Sequence, residues 1–388
     1  MLRLLLLVGF CGGLAAQETP APTEPVPTIP SLVKDANAAY LKGDYEAARQ
    51  SFLRAWDLAQ QTPPEDPVRY DILKRITSVR AAAGEFADAD DWLQQAITWR
   101  ENTLGQRDPK IADDLLISVN LCRGMKDFDR AQTILRKVQS LHVATYTYDS
   151  AMVADDFHRM AQVYMEQKKP EPAINSLNAA LAIRTKIAGP LDPTLVPDLD
   201  RLGELHTVQR AYEDAVADFR HALVIRETLY GKVHADLIST VDGLAYAEFG
   251  LQRYDDAEPI YKRLLSLWET SVGPDHPMVA VTLDKIAVFY AAQKKYDQTR
   301  EALERSTAIR ARFHAMGISQ QATQAFTEKQ FDQAKDYYKR ALVVLDQPNP
   351  VYDDLREQFD GMLKALEAPP PKPGPAPKKA SPPKKTDK

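Results

Sequence analysis

The chain has 388 residues, with 49 Lys and Arg against 54 Asp and Glu, a formal charge of −5. That balance argues against a nucleic-acid binder held by bulk charge, and two cysteines are too few for a disulfide-braced scaffold. After the first seventeen residues no apolar run approaches the ~20 residues that span a bilayer, so no transmembrane segment is expected.

At the N-terminus Arg3 precedes an apolar run from Leu4 to Phe10, and small residues lead to Ala16. This is the layout of an export leader over residues 1–16, cleaved before Gln17. Cys11 follows the bulky Phe10 rather than a small residue, which disfavours lipidation. The mature chain is expected to be exported, periplasmic or secreted in a bacterial envelope. With Cys11 removed, Cys122 has no intramolecular partner, so stability must come from packing. Residues 17–30 are proline-rich and lack apolar periodicity, as in an extended linker. At the other end residues 368–388 hold eight Pro and six Lys against one Asp, too polar to bury a core and expected to be a disordered tail. The tail carries +5, which leaves −10 on residues 1–367.

Between these ends, residues 31–367 repeat. Tyr45, Phe86, Phe128, Pro170, Tyr212, Tyr254, Tyr296 and Phe331 each follow a short basic or glycine-containing turn, at intervals of 41, then 42 five times, then 35. Three residues after each marker stands a small side chain, from Ala48 to Ala334, with Thr299 as the exception in size. Four further on stands a large one, such as Phe52, Leu93, Phe219, Leu303 or Tyr338. That is helical spacing, with small residues admitting a second helix and large ones filling the gap. Upstream of each marker lies another amphipathic stretch, clearest at Leu283, Ile286, Ala287 and Tyr290. Every unit is therefore expected to be a helix hairpin. Asp108-Pro109 and Asp192-Pro193 are expected caps with first helical residues, and in Asp275-His276-Pro277 the acid stands one place early.

The pattern resembles the tetratricopeptide repeat, whose usual period is about 34 residues. With GPDHPMVAVTLDKIAVFYAAQKKYDQTREAL at 273–303 and its echoes at Gly105, Gly189 and Gly231, the chain resembles the long repeats of the kinesin light chain type. Pro170, Thr299 and the short last interval depart from that pattern. The resemblance implies an all-α fold, a right-handed α-solenoid of about eight helix-turn-helix repeats, as one continuous stack with a concave side lined by the first helix of each pair. Motor transport does not carry over to an exported chain.

No chemistry is written in motifs. The seven His form no HExxH or other ligand spacing, no phosphate loop or nucleophile elbow occurs, and neither metal nor cofactor is expected. Cys122 falls at an inward-facing position and is expected to act as a small buried hydrophobe. Twelve residues before the markers stand Lys74, Leu116, His158, Asp200, Asp242 and Asp284, a position that faces the groove in the family. Three successive carboxylates then line one wall about 10 Å apart, with a mutual repulsion of about 0.4 kcal/mol in water and 1.7 at an effective dielectric of 20. Solvated surface charge, a subsite for a basic peptide and a cation site stand as three readings. The same geometry puts Glu204, Tyr246, Phe249 and Val288 on the wall, although Tyr246 and Phe249 also suit packing between helices. Toward the N-terminus the lining becomes Lys74, Asn120, Arg123, His158 and Gln162, so a bipolar groove is expected. Trp92 and Trp99 lie on one stripe and are expected to pack against the following unit.

These features predict an exported, non-enzymatic scaffold that holds a peptide or helical segment of a protein partner, a basic one among the classes considered. The alternative is a structural tether whose basic tail holds an anionic polymer or membrane surface. Nucleic acid is not expected at the solenoid, whose charge is negative.

Overall fold

The structure is a computed structural model that describes residues 27–347 and 349–367. The export leader, the linker up to residue 26 and the basic tail lie outside the described residues. Within them the chain forms sixteen α-helices and no strand. They divide into two compact units, one ending at Tyr148 and the other starting at Asp149, where the repeat alone predicts one unbroken stack.

The first unit holds three hairpins: α1 (Ile29–Leu41) with α2 (Tyr45–Ala59), α3 (Pro67–Ala82) with α4 (Phe86–Leu104), and α5 (Lys110–Gly124) with α6 (Phe128–Tyr146). The second holds α7 (Ala151–Glu166) with α8 (Pro170–Ala188), α9 (Val196–Val208) with α10 (Tyr212–Tyr230), α11 (Ile238–Gly250) with α12 (Tyr254–Val272), and α13 (Pro277–Ala292) with α14 (Tyr296–Thr327). α15 (Phe331–Val344) and α16 (Asp353–Glu367) close it. α1 starts two residues before the expected boundary because Thr28 caps it and Pro30 fits its first turn.

All eight sequence markers are the first residue of the second helix in their unit, Pro170 included. The residue two places earlier always has positive φ, from Gly43 at 78° and Gly84 at 80° to Lys126, Lys168, Arg210, Gln252, Lys294 and Lys329 between 58° and 63°. This left-handed residue lets the next N–H reach back five residues, as Asp127 N–H donates to the Cys122 carbonyl at 2.8 Å, and closes the first helix. The small residue three places after the marker is fully buried in Ala48, Ala89, Ala131, Ala173, Ala215, Ala257 and Ala334.

The cores join successive hairpins inside each unit. In the first, Leu32, Phe52, Ile72, Ile76 and Val79 form one cluster. In the second, Val241, Tyr261, Leu264, Val279, Ile286 and Phe289 form another. Phe219 shows how close the helices come: a Cβ added at Gly203 on α9 would lie 2.6 Å from its ring, and one at Gly243 on α11 only 2.5 Å. The two tryptophans pack, but not against the following unit. Trp92 meets Trp56 of the preceding hairpin edge-on at 6.0 Å, and Trp99 lies 5.5 Å from Tyr70 of its own hairpin while donating to the Pro64 carbonyl at 2.7 Å. Cys122 is buried, and burial pushes its thiol pKa up.

Three expectations about helix ends change. α5 starts at Lys110, one residue after the expected Pro109, while Asp108 still accepts from the Lys110 N–H at 2.8 Å. The helix expected to begin at Pro193 opens with a 3-10 turn, Pro193–Leu195, before α9, and Ala235–Leu237 does the same before α11. At the early acid, His276 takes over the cap, its Nδ1 accepting from Met278 N–H at 3.2 Å. The last unit is not a separate hairpin. The second helices α4, α6, α8, α10 and α12 have 19 residues each and are stopped by Gly105, Thr147, Gly189, Gly231 and Gly273 at positive φ. Ala315 stands in that slot in the seventh unit, and α14 runs on for 32 residues. The 35-residue interval is what remains when the inter-hairpin loop is lost and two helices fuse.

Candidate functional site

In the second unit the first helices of successive hairpins present equivalent side chains in rows. Eight residues before each marker stand Gln162, Glu204, Tyr246 and Val288 on α7, α9, α11 and α13. The last three are exposed, Tyr246 at 50% and Val288 at 61%, so a strip of open apolar surface crosses α11 and α13. Glu204 pairs with Arg201 at 2.5 Å. Phe249 does not share the strip. It is half-buried, 6.0 Å from Phe289 and 6.2 Å from Tyr254, and belongs to the core. Tyr246 keeps an edge contact with Tyr212 at 6.5 Å and otherwise faces outward.

The carboxylate row exists and is not bare. Asp200 accepts from Arg226 at 2.7 Å and from the Thr240 hydroxyl at 3.0 Å. Asp242 accepts from Lys285 Nζ at 2.6 and 2.7 Å. Asp284 takes Arg310 and the Ser306 hydroxyl, the latter at 2.5 Å. Burial pushes the Asp284 carboxyl up, but the hydrogen bonds from Arg310 and Ser306 outweigh it and hold it below the usual carboxylate range. Each charge already has a cation of its own, so the wall is a row of ion pairs.

His158, in the same slot on α7, explains the switch from basic to acidic residues along the row. Its Nδ1 lies 2.5 Å from Asp198, which is completely buried, and its Nε2 lies 3.0 Å from the Gln162 amide. Arg184 closes on the other Asp198 oxygen and on Asp155 at 2.5 Å. With Nδ1 donating and Nε2 accepting, the neutral ring satisfies both contacts. The first unit builds the same rung from Asp114, fully buried, with Lys74 at 2.6 Å, Arg100 at 3.0 Å and the Tyr70 hydroxyl at 2.8 Å. In the later hairpins Thr240 and Thr282 replace the buried acid, and the carboxylate moves two residues on, to Asp242 and Asp284. The arginine row at Arg100, Arg184, Arg226 and Arg310 stays in register and follows the acid. Sequence reasoning missed this row, although its spacing in multiples of 42 is visible. Asn120 and Arg123 lie in the first unit, where Arg123 donates to Asn120 at 3.3 Å.

Beside the ion pairs opens a cleft of about 660 Å³ among α9, α10, α11, α12 and α13. Pro197, Tyr230, Trp268 and Val281 give it apolar walls, while Asp242 and Lys285 stand at its edge. Its Tyr230 ring stacks on His234 at 4.7 Å. Such a concave, mixed surface suits a side chain or short segment of another molecule.

Two family models, both described as tetratricopeptide repeat, match residues 199–236 and 237–312. No curated protein matches the chain. Among solved structures, a signal transduction ATPase with numerous domains and a tetratricopeptide repeat sensor from Pyrococcus horikoshii is 11% identical over 72% of this chain and 42% of that one, with a TM-score of 0.52. BtubC from P. vanneervenii is 20% identical, covering 58% of this chain and 91% of that one, TM-score 0.47. A kinesin light chain with nearly identical TPR-like repeats from P. anserina is 17% identical over 53% and 97%, TM-score 0.47.

Proposed function

We propose, from the premise that this is a tetratricopeptide-repeat protein whose long repeats resemble those of kinesin light chain, that its second unit grips an extended or helical segment of a partner across α9, α11 and α13. Tetratricopeptide repeats are scaffolds for protein–protein interaction and typically not catalysts. The observation that carries the site is the exposed apolar strip of Tyr246 and Val288, flanked by Val281 at 38% exposure and by the three ion pairs. Apolar anchors amid polar groups that fix register are the usual make-up of a peptide groove. Because Asp200, Asp242 and Asp284 are already engaged, a purely basic segment gains little there. The reading favours an amphipathic partner whose apolar side chains meet Tyr246 and Val288 and whose polar groups exchange with the Asp242–Lys285 pair, which is far more open than Asp200–Arg226.

A photo-crosslinking residue placed at Tyr246 should capture the partner, and the double substitution Tyr246→Ala, Val288→Ser should abolish its recovery. Val224→Ser, at a site 51% exposed on α10, is the control and should change nothing. Undiminished capture by the double variant overturns the site. Export rests on the leader-like N-terminus, and we place the scaffold outside the cytoplasm on that basis. Sequencing the mature protein should find Gln17 first, and an intact Met1 would refute it.

A further inference from the structure

The seventh hairpin leaves open what every other hairpin closes. The large residue seven places after the marker is at most 6% exposed in Phe52, Leu93, Leu135, Leu177, Phe219, Tyr261 and Tyr338, but Leu303 is 46% exposed and the marker Tyr296 is 70% exposed. In the preceding hairpin this slot is covered by the first helix of the next repeat, as Tyr261 of α12 is covered by Phe289 of α13 at 5.1 Å. That covering helix buries Val279, Thr282, Ile286 and Phe289. In the next repeat the corresponding positions are His314, Gly317, Gln321 and Gln324, in the second half of α14 and all exposed. They continue α14 itself, so they cannot fold back on it. A cleft of about 580 Å³ lies along Tyr296, Leu303 and Thr307, lined as well by Val344, Asn349 and Tyr352 where α15 connects to α16.

We propose that this face of α14 docks one amphipathic helix of a partner protein, seated as the missing first helix of a further repeat. Continuity with the interface between successive hairpins defines the occupant. It carries apolar residues at its first, eighth and eleventh positions and Asp or Thr at the fourth. The fourth position is set by Arg310. Its counterparts Arg184 and Arg226 each hold an acid of their own hairpin and also reach the next first helix, at Asp198 and Thr240. Arg310 holds Asp284 of its own hairpin, and the next position in line is Gly317, without a side chain. A second copy fits poorly at either end. The last hairpin offers only the polar positions above, and the equivalent face of α1 carries exposed Thr28, Ser31 and Asp35.

The probe is a fluorescein-labelled peptide of residues 195–208, whose Leu195, Asp198, Leu202 and Leu205 have the required spacing. Anisotropy against the full chain should show saturable one-to-one binding, weakened about tenfold or more by Leu303→Glu and by Thr307→Glu. Val343→Glu, at a site 74% exposed on α15, should leave it unchanged, and Asp→Lys at the fourth position of the peptide should weaken it. Helicity measured in parallel separates lost docking from lost fold, and the two glutamate variants back one another. No binding, or binding indifferent to both variants, overturns the site. A dimer in the absence of peptide that Leu303→Glu dissociates overturns the choice of occupant in favour of a second copy.

Discussion

Gly243→Ala should destabilise the second unit, and its effect should change sign when Phe219 is shortened. The added Cβ would lie 2.5 Å from Phe219 Cζ, and Gly203 crowds the same ring edge, where a Cβ would lie 2.6 Å away. Carbon atoms rest at about 3.5–4.0 Å, so the ring has to move by about 1 Å within a buried contact between α9, α10 and α11. Overpacking of this kind costs about 1–3 kcal/mol. Against it stands about 1 kcal/mol of helix propensity gained when glycine becomes alanine inside α11. The net loss expected is therefore up to about 2 kcal/mol. In a Phe219→Leu background the ring is gone, the clash is relieved, and the same alanine should be neutral or stabilising by up to about 1 kcal/mol. Repeat arrays do not always unfold in one step, so the assay is hydrogen exchange of the α9 and α11 amides across the four proteins of the cycle. Equal effects of Gly243→Ala in both backgrounds, or stabilisation in the wild type, would show that Phe219 is not wedged as described.

Thr147→Gly should raise the thermal midpoint of the first unit. Thr147 has φ 77° and ψ 164° in the slot that holds glycine after α4, α8, α10 and α12, a conformation costing a β-branched residue about 1–3 kcal/mol, of which glycine returns about 0.4–1 through unfolded-chain entropy. A lowered midpoint would mean that the hydroxyl has a stabilising contact that outweighs the strain. Asp284 titrates lower in the folded state than in the unfolded chain, so its contribution is present above about pH 4 and lost as the pH falls through the folded value. Thermal midpoints taken from pH 6 to pH 3 should fall more steeply for the wild type than for Asp284→Asn, and parallel curves would contradict the pairing with Arg310 and Ser306.

The repeat was legible because its signals are local. A positive-φ residue, a helix start two places later and a small residue three further on lie within six positions, and one substitution at Pro170 leaves the rest intact. The ion-pair row was not legible for the opposite reason. The partners of Asp200 and Asp284 stand 26 residues downstream on another helix, and that of Asp242 stands 43 downstream in the next hairpin. Periodicity along one helix identifies a face and is silent on what crosses it. Of the two readings open for Phe249, packing between helices is the one its contacts fit, because Phe289 of the next first helix is buried with Phe249 and Tyr254 around it. The fused α14 was half legible: the interval of 35 and the alanine at 315 were in view, while their consequence depends on counting what the lost loop no longer permits.

That consequence links the two surfaces proposed for binding. Inside each unit, a first helix that follows another hairpin has two duties, burying one face on its own hairpin and another on the hairpin before it, while its open edge forms the proposed groove. Removing the loop after Arg310 relieves the last first-helix segment of the second duty, and its sequence has relaxed to His314, Gly317, Gln321 and Gln324. α14 has not relaxed in step. It keeps Tyr296 and Leu303 at core positions and Arg310 in the arginine row, which is costly for a face meant only for water. An array that ended merely by capping itself would be polar on both sides of the break, as α1 is at Thr28, Ser31 and Asp35. Here one side is wholly polar while the other keeps Tyr296 and Leu303 exposed among Thr299, Thr307 and Arg310, and that asymmetry is what a surface kept for an amphipathic foreign helix requires.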